Sequence, residues 1–230
     1  MGQQIPKPLT LLKGLPFLTH VLNAIEFSGV CSNPIIVVGR DMDAIRTAIG
    51  AQRAYAVQIE DLGTAVSVMS AEALTGDAST VLVLYSDHPL ITGETIKRLV
   101  GIHRAQDAAI TFAVAVAPNF TEWRACFSSF GRVTRNGRGD ILRIVEAKDA
   151  TEVEREIKEV IPGYMCFNGR WLWKNLKEMV GTGKRKEYYL TDLVGMAFLN
   201  GDKTISVLIE LVEAFGVNTQ SDLLFLERLE

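Results

Sequence analysis

The 230-residue sequence is poor in the side chains that usually announce a metal or redox centre: it has three cysteines and three histidines. Cys31, Cys126 and Cys166 lie far apart, without a CxxC pair and without a histidine at metal spacing. That pattern argues against a zinc site or a reactive dithiol, and for reduced, mostly buried thiols in a cytoplasmic protein. Long apolar runs are missing too. The longest, Thr80 to Tyr85 and Ile110 to Ala117, are strand-length and far short of the roughly 20 residues of a membrane span. Met1 to Pro6 shows no charged-then-apolar leader, so export is not expected. Nor is there a basic excess: 24 Lys and Arg stand against 27 Asp and Glu, a formal net charge of −3. Nucleic-acid binding is therefore not expected, whereas a small anionic ligand needs only a few local cations.

What is present is a chain 48% hydrophobic, long enough for a substantial core, with no repeat or low-complexity linker. Short β-branched runs alternate with helical patterns, the grammar of an α/β sheet. Pro16 opens a helix with Phe17, Leu18, Val21, Leu22 and Ile25 on one face. Pro34 to Gly39 is apolar without alternation and is expected to be a strand covered on both faces. A helix follows over Asp41 to Ile49, then a short strand at Tyr55 to Val57. Gly63-Thr64 opens a helix through Leu74, and Thr80 to Tyr85 is expected to be the most buried strand. Thr92 caps a helix to Ala105, with Glu94 in its first turn. Beyond residue 108 the pattern becomes hairpin-rich. Ala109 to Ala117 is a strand, and Arg132 to Arg135 pairs with Ile141 to Val145 across an Asn136-Gly137 turn. Asp149 to Glu159 is expected to be a charged surface helix and Gly163 to Phe167 a strand. Trp171 to Val180 and Tyr188 to Leu199 are helices flanking the basic loop Gly183 to Lys186. Thr204 to Leu208 is a strand, and a helix starts near Ser221. The reading is a single domain, 1–230, with a nucleotide-type half (1–107) and a second half (108–230).

In an open α/β sheet, ligands sit outside the carboxyl ends of the parallel strands. Asp87 ends such a strand, and a carboxylate there suits Mg²⁺, a hard ion that bridges phosphates; it could equally cap the turn before Pro89. Gly63-Thr64 puts backbone N–H groups at a helix start, where an anion or a base edge fits. Lys7, held between Pro6 and Pro8 in an expected extended stretch, could reach a phosphate or simply be solvated. Asp41-Met42-Asp43 has the form of a metal-binding DxD but is better placed as a helix cap. A lone His88 in a turn is more often structural.

Seven strings together carry a resemblance. They are Pro6-Lys7-Pro8-Leu9, Gln58-Ile59-Glu60-Asp61-Leu62-Gly63-Thr64, Leu84-Tyr85-Ser86-Asp87-His88-Pro89-Leu90, Phe130-Gly131-Arg132-Val133, Ile144 to Thr151, Glu187-Tyr188-Tyr189-Leu190-Thr191-Asp192, and Gly216-Val217-Asn218. Over essentially the whole chain the sequence resembles the sugar-1-phosphate nucleotidyltransferases, most closely the uridyltransferase half of the bacterial N-acetylglucosamine-1-phosphate uridyltransferases. The resemblance implies a Rossmann-like three-layer α/β fold around a mixed sheet. It also implies transfer of a nucleotidyl group from a nucleoside triphosphate, UTP, to N-acetylglucosamine 1-phosphate or a related hexose phosphate with release of pyrophosphate, as in the making of cell-envelope precursors; the alternatives are a non-catalytic binding remnant of such an enzyme and a same-fold nucleotidyltransferase for another base and sugar.

By that resemblance Asp87 and Asn218 would hold Mg²⁺, and Lys7 would contact nucleotide phosphate. Gln58, Gly63 and Thr64 would read the base, with Tyr85 nearby. Gly131, Glu146 and Thr191 would line the sugar-phosphate pocket. The partners implied are these small substrates alone, and the oligomeric state stays open. Such chemistry needs positioning and charge neutralisation rather than a protein nucleophile, in keeping with the lack of a Ser-His or Cys-His pair. The family opens with a strand running into L-A-A-G-x-G-T-R-M, and Met1 falls at the final M of that motif. The Gly-rich loop is thus not in the sequence, and the sheet is expected to lack its first central strand, with a natural start upstream. Ile161-Pro162-Gly163 stands where the family has Asn-Thr-Gly or Asn-Ala-Gly, which removes a sugar-binding amide. The acetyltransferase half of the family is not in the sequence either.

Overall fold

The strand that organises the molecule is Ile110–Val116, whose alternate residues feed two different cores. Ile110, Phe112 and Val114 point to one face and Ala113 and Ala115 to the other, and all five are buried. A strand with period-two packing on both faces must lie in the middle layer of three. The computed structural model describes residues 5–39, 42–181 and 186–229. Met1, Asp41 and the basic loop through Arg185, singled out above, lie outside the described residues.

The chain begins with a 3-10 turn, Lys7–Leu9, and a small hairpin of β1 (Leu11–Leu12) and β2 (Leu15–Pro16), followed by α1 (Phe17–Ser28). Next come β3 (Ile35–Val38), α2 (Met42–Ile49), β4 (Ala54–Val57), α3 (Thr64–Met69), α4 (Glu72–Thr75) and β5 (Thr80–Val83). Then follow α5 (Gly93–Gln106), β6 (Ile110–Val116), β7 (Gly131–Arg135), β8 (Ile141–Val145) and α6 (Glu152–Arg155). The last part holds β9 (Glu159–Ile161), β10 (Met165–Asn168), α7 (Gly169–Gly181), α8 (Asp192–Asn200), β11 (Thr204–Leu208) and α9 (Gln220–Glu227). The main mixed sheet has seven strands in the order β5-β10-β6-β9-β7-β8, with β11 parallel to β6 on its other edge. One helical layer (α1, α5, α9) covers one face, and α3, α7 and α8 cover the other.

A parallel pair, β3 and β4, stands apart from that sheet. It is held by α1, whose residues divide between two cores. Phe17, Val21 and Ala24 pack with the main sheet, while Leu18 and Leu22 pack with Ile36, Val38 and Ile45. Among the described residues β3 pairs only with β4, and β5 pairs only with β10. No described strand joins β3 to β5, which accounts for two departures from expectation. Every residue of β5 is only partly buried, because it runs along an open edge, and β6 is the buried strand instead. β3 is not covered on both faces either, since Val37 is 37% exposed.

Other departures are local. The helix expected from Gly63 to Leu74 breaks at Ser70-Ala71 into α3 and α4. The expected helix from Asp149 to Glu159 shrinks to the single turn α6, capped by a reciprocal Thr151–Glu154 capping box, because Glu159 joins β9. Tyr188 to Thr191 precede α8 rather than lie in it. Lys7 sits in a 3-10 turn with Pro6 as its N-cap, not in an extended stretch. The β7–β8 hairpin forms with Arg132 opposite Val145, but its connection is longer than Asn136-Gly137. The Asn136 Oδ1 accepts from the N–H groups of Arg138 and Asp140, and Gly139 supplies the left-handed residue at φ +87°.

Candidate active site

The loop after β5 carries Tyr85, Asp87 and His88 to one end of the sheet. The backbone carbonyl of Asp87 accepts from the N–H of Val217 at 3.0 Å, which ties this loop to 216–218. Asn218 is placed by the start of α9. There Thr219 and Asp222 form a capping box, and the Asp222 carboxylate accepts from both the Asn218 and Thr219 N–H groups at 2.9 and 2.8 Å. Lys7 completes the cluster, its ammonium donating to Asp87 Oδ2 at 2.6 Å and to Asn218 Oδ1 at 2.7 Å. Three residues expected to act on phosphate or metal therefore meet at one point.

That point is already a cation site in chemical terms. Two hard oxygens, one ionic and one neutral, converge on a single positive charge, and Lys7 Nζ stands there for any cation of similar demand. Mg²⁺ usually takes one or two protein carboxylates and fills its octahedron with water and phosphate oxygens, so the donor pair could hold it. Among the described residues no cluster of three or more His, Cys, Asp or Glu forms a fuller cage.

Gln58, Gly63 and Thr64, expected to read the base, are close-packed against a second segment. Gln58 follows β4; its N–H donates to Val38 O at 2.8 Å, and its side-chain amide is held by Ser67 and the Glu60 carbonyl. Gly63 has φ +97°, and a Cβ there would lie 2.5 Å from the carbonyl oxygen of Tyr188. That carbonyl accepts from Ala65 N, Tyr188 N donates to Leu62 O, and Thr64 Oγ1 accepts from Leu190 N at 2.9 Å. The start of α3, expected to offer free N–H groups, thus already bonds segment 188–190. Tyr85 hydrogen-bonds Thr64, and burial pushes its hydroxyl up to about 12, so it stays neutral. The Glu146 and Asp87 carboxylates push it in the same direction.

Of the residues expected to line the sugar-phosphate pocket, Thr191 Oγ1 donates to Glu146 Oε1 at 2.6 Å. Burial raises the Glu146 carboxyl above its ordinary range, opposed by the Thr191 bond. Gly131 opens β7 opposite Ile161; a Cβ there would come within 2.8 Å of the Ile144 side chain and 3.0 Å of that of Ile161. Its packing need is therefore plain, whatever else it does. The Lys148 ammonium bonds Glu187 at 2.9 Å and also Tyr189 Oη, which itself bonds Glu187. Lys148, Glu187 and Tyr189 were not singled out from the sequence, although all three lie inside the strings Ile144 to Thr151 and Glu187 to Asp192.

A family model, described as the MobA-like NTP transferase domain, matches residues 1–187. The chain belongs to the MobA-like NTP transferase family. As a member of that family it is a nucleotidyltransferase. The bifunctional protein GlmU of Brevibacillus brevis is 37% identical over 225 residues, covering 97% of this chain and 47% of that protein. GlmU of Streptococcus thermophilus is 34% identical over 220 residues, covering 95% and 46%. The chain thus spans about half the length of the curated relatives it matches. Among solved structures, a Vibrio cholerae nucleoside-diphosphate-sugar pyrophosphorylase superposes with TM-score 0.69 at 15% identity, covering 99% of this chain and 93% of that one. A 4-diphosphocytidyl-2C-methyl-D-erythritol synthase from Anaerococcus prevotii gives 0.68 at 12%, covering 96% and 91%. These two likenesses establish the shared nucleotidyltransferase-type fold.

Proposed function

We propose that this nucleotidyltransferase moves UMP from UTP onto a sugar 1-phosphate, N-acetylglucosamine 1-phosphate or a related hexose phosphate. An oxygen of the sugar phosphate attacks the α-phosphorus of UTP. A new P–O bond forms there, the bond from the α-phosphorus to its bridging oxygen breaks, and the electron pair leaves with pyrophosphate. The observation that carries the reading is the meeting of Lys7, Asp87 and Asn218 within 2.7 Å bonds at the end of β5. Held by Asp87 and Asn218, Mg²⁺ would supply charge neutralisation for the triphosphate. Lys7, on a side chain 43% exposed, has the reach to turn its ammonium to a phosphate oxygen. Gln58, Gly63 and Thr64 form the base-side wall, Glu146, held by the Thr191 hydroxyl that donates to it, offers an acceptor to a sugar hydroxyl, and Gly131 borders Ile161. With Ile161-Pro162 where an amide would read the acetamido group, the sugar is the open variable.

The test is pyrophosphate release from UTP, CTP, dTTP and GTP, each offered with a panel of sugar 1-phosphates and Mg²⁺. UTP with one hexosamine or hexose phosphate should lead. Asp87→Ala should lower turnover by roughly 100-fold or more, the scale of removing one preorganised charge-stabilising group. Calorimetric UTP binding without release from any pair would make the chain a binding module and overturn the enzymatic reading.

A further inference from the structure

His88 lies beside the cluster just described, its Nε2 3.7 Å from Asp87 Oδ1, and it is built in from every side. The ring is 7% exposed. Tyr164 meets it edge-on at 5.5 Å between centroids, with Phe130 at 5.8 Å and Tyr85 at 6.1 Å. Nδ1 lies 3.1 Å from the Tyr164 hydroxyl, which donates its one proton to the Glu213 carbonyl at 2.7 Å. With that proton committed, Nδ1–H is assigned as the donor to Tyr164; the ring also hydrogen-bonds the Ala214 backbone, so His88 connects the β5 loop to the segment leading into 216–218. The opposite edge of the ring bears on Gly216. A Cβ at that position would lie 2.7 Å from Nε2 and 3.0 Å from Cε1, so the backbone there rests directly on the imidazole. Two residues further on is Asn218, and one residue before His88 is Asp87.

We propose that His88 is a positioning residue whose imidazole, wedged between the Tyr164 hydroxyl and the Gly216 backbone, sets the spacing between the Asp87 and Asn218 side-chain oxygens. This rests on the reading of those two oxygens as the cation ligands of a nucleotidyl transfer. The two loops are tied by Val217 N bonding Asp87 O and by the bond of the His88 ring to the Ala214 backbone, and the ring rests on Gly216 beside them. Changing the volume or polarity of the wedge moves one ligand relative to the other without removing either.

The experiment is Mn²⁺ binding to the protein with UTP, followed by electron paramagnetic resonance of free Mn²⁺, on folded protein checked by circular dichroism. Asp87→Ala serves as the control. His88→Leu, which fills space but cannot donate to Tyr164, should weaken Mn²⁺ binding roughly 10-fold, the usual cost of removing a residue that orients a metal ligand. His88→Asn, whose amide can replace the Nδ1–H donor, should recover most of it. Gly216→Ala should weaken binding like His88→Leu, and adding His88→Asn to it, which shortens the wedge, should restore part of the loss. A wedge that only stabilised the fold would lower the melting temperature in all these variants and leave Mn²⁺ affinity unchanged, and that result overturns the proposal. Wild-type protein that binds no Mn²⁺ with UTP, or binds it equally after Asp87→Ala, overturns the metal reading and the wedge with it. Wild-type binding that depends on Asp87 but not on His88 overturns the wedge alone.

Discussion

At the scale of single residues, the site depends on places where one atom too many would not fit. Gly63 combines a left-handed backbone with a carbonyl 2.5 Å from where a Cβ would stand. Gly63→Ala should therefore cost roughly 1–3 kcal/mol, and more where the Tyr188 bonds to Leu62 and Ala65 also break; urea unfolding at constant m-value measures it. Under the proposed function the same substitution should raise KM for UTP before it touches kcat, because it displaces the segment proposed to read the base and leaves Lys7 and Asp87 in place. His103 gives a second test at this scale. It is buried, with Nδ1 3.1 Å from Thr111 Oγ1, and burial lowers its pKa below the ordinary 6.5. Above that value both folded and unfolded chains carry it neutral, and its contribution to stability is complete. As pH falls below 6.5 the unfolded chain takes up a proton that the folded one refuses, so stability declines toward the lower folded value. Melting temperatures between about pH 7.5 and about pH 5.5 should fall less steeply in His103→Gln than in the parent protein.

At the scale of elements, caps were legible because they depend on a few neighbouring residues. Thr92 caps α5 by accepting from Thr95 N, and the start of α9 fell within a residue of its expected place. The cap of α9 also serves the site, since the carboxylate of its capping box holds the backbone of Asn218. Thr219→Ala should cost about 1 kcal/mol of stability and also weaken Mn²⁺ binding with UTP; an exposed cap without a link to the site would show only the first effect. Strand burial was less legible. Apolar composition made Thr80 to Tyr85 look central, but burial depends on the partners a strand finds, and β5 has one partner, β10, among the described residues. The surface helix expected after Asp149 failed for a similar reason. Its charged residues fit a helix locally, yet Glu159 to Ile161 are claimed by pairing with β6 and β7, and long-range pairing overrides local propensity.

At the scale of the molecule, two cores share one strand and a third hangs from α1. Ile110, Phe112 and Val114 anchor one helical layer and Ala113 and Ala115 the other, whereas β3, β4 and α2 reach the rest mainly through Leu18 and Leu22. Local opening follows the least-supported elements. Hydrogen exchange should therefore find β6 amides the slowest, with those of β3 and β4 faster by roughly an order of magnitude or more. Equal protection of the two regions would mean that the small sheet is held by more than α1. Gln58 follows β4, so its position inherits that looseness, and UTP should slow exchange there more than in β6.

The sequence by itself determined the alternation of strands and helices, the caps, and the short strings that identify the family, because each rests on residues that are neighbours in the chain. Tertiary structure alone decided which of those strings become one site. Lys7 meets Asp87 across 80 positions and Asn218 across 211, and the base-side loop at Gly63 closes on Tyr188. It also decided that His88 stands behind Asp87 and Gly216 rather than alone in a turn. The physical reason is that packing and hydrogen bonding act through distance in space, and only the folded sheet brings those distances down to bond length.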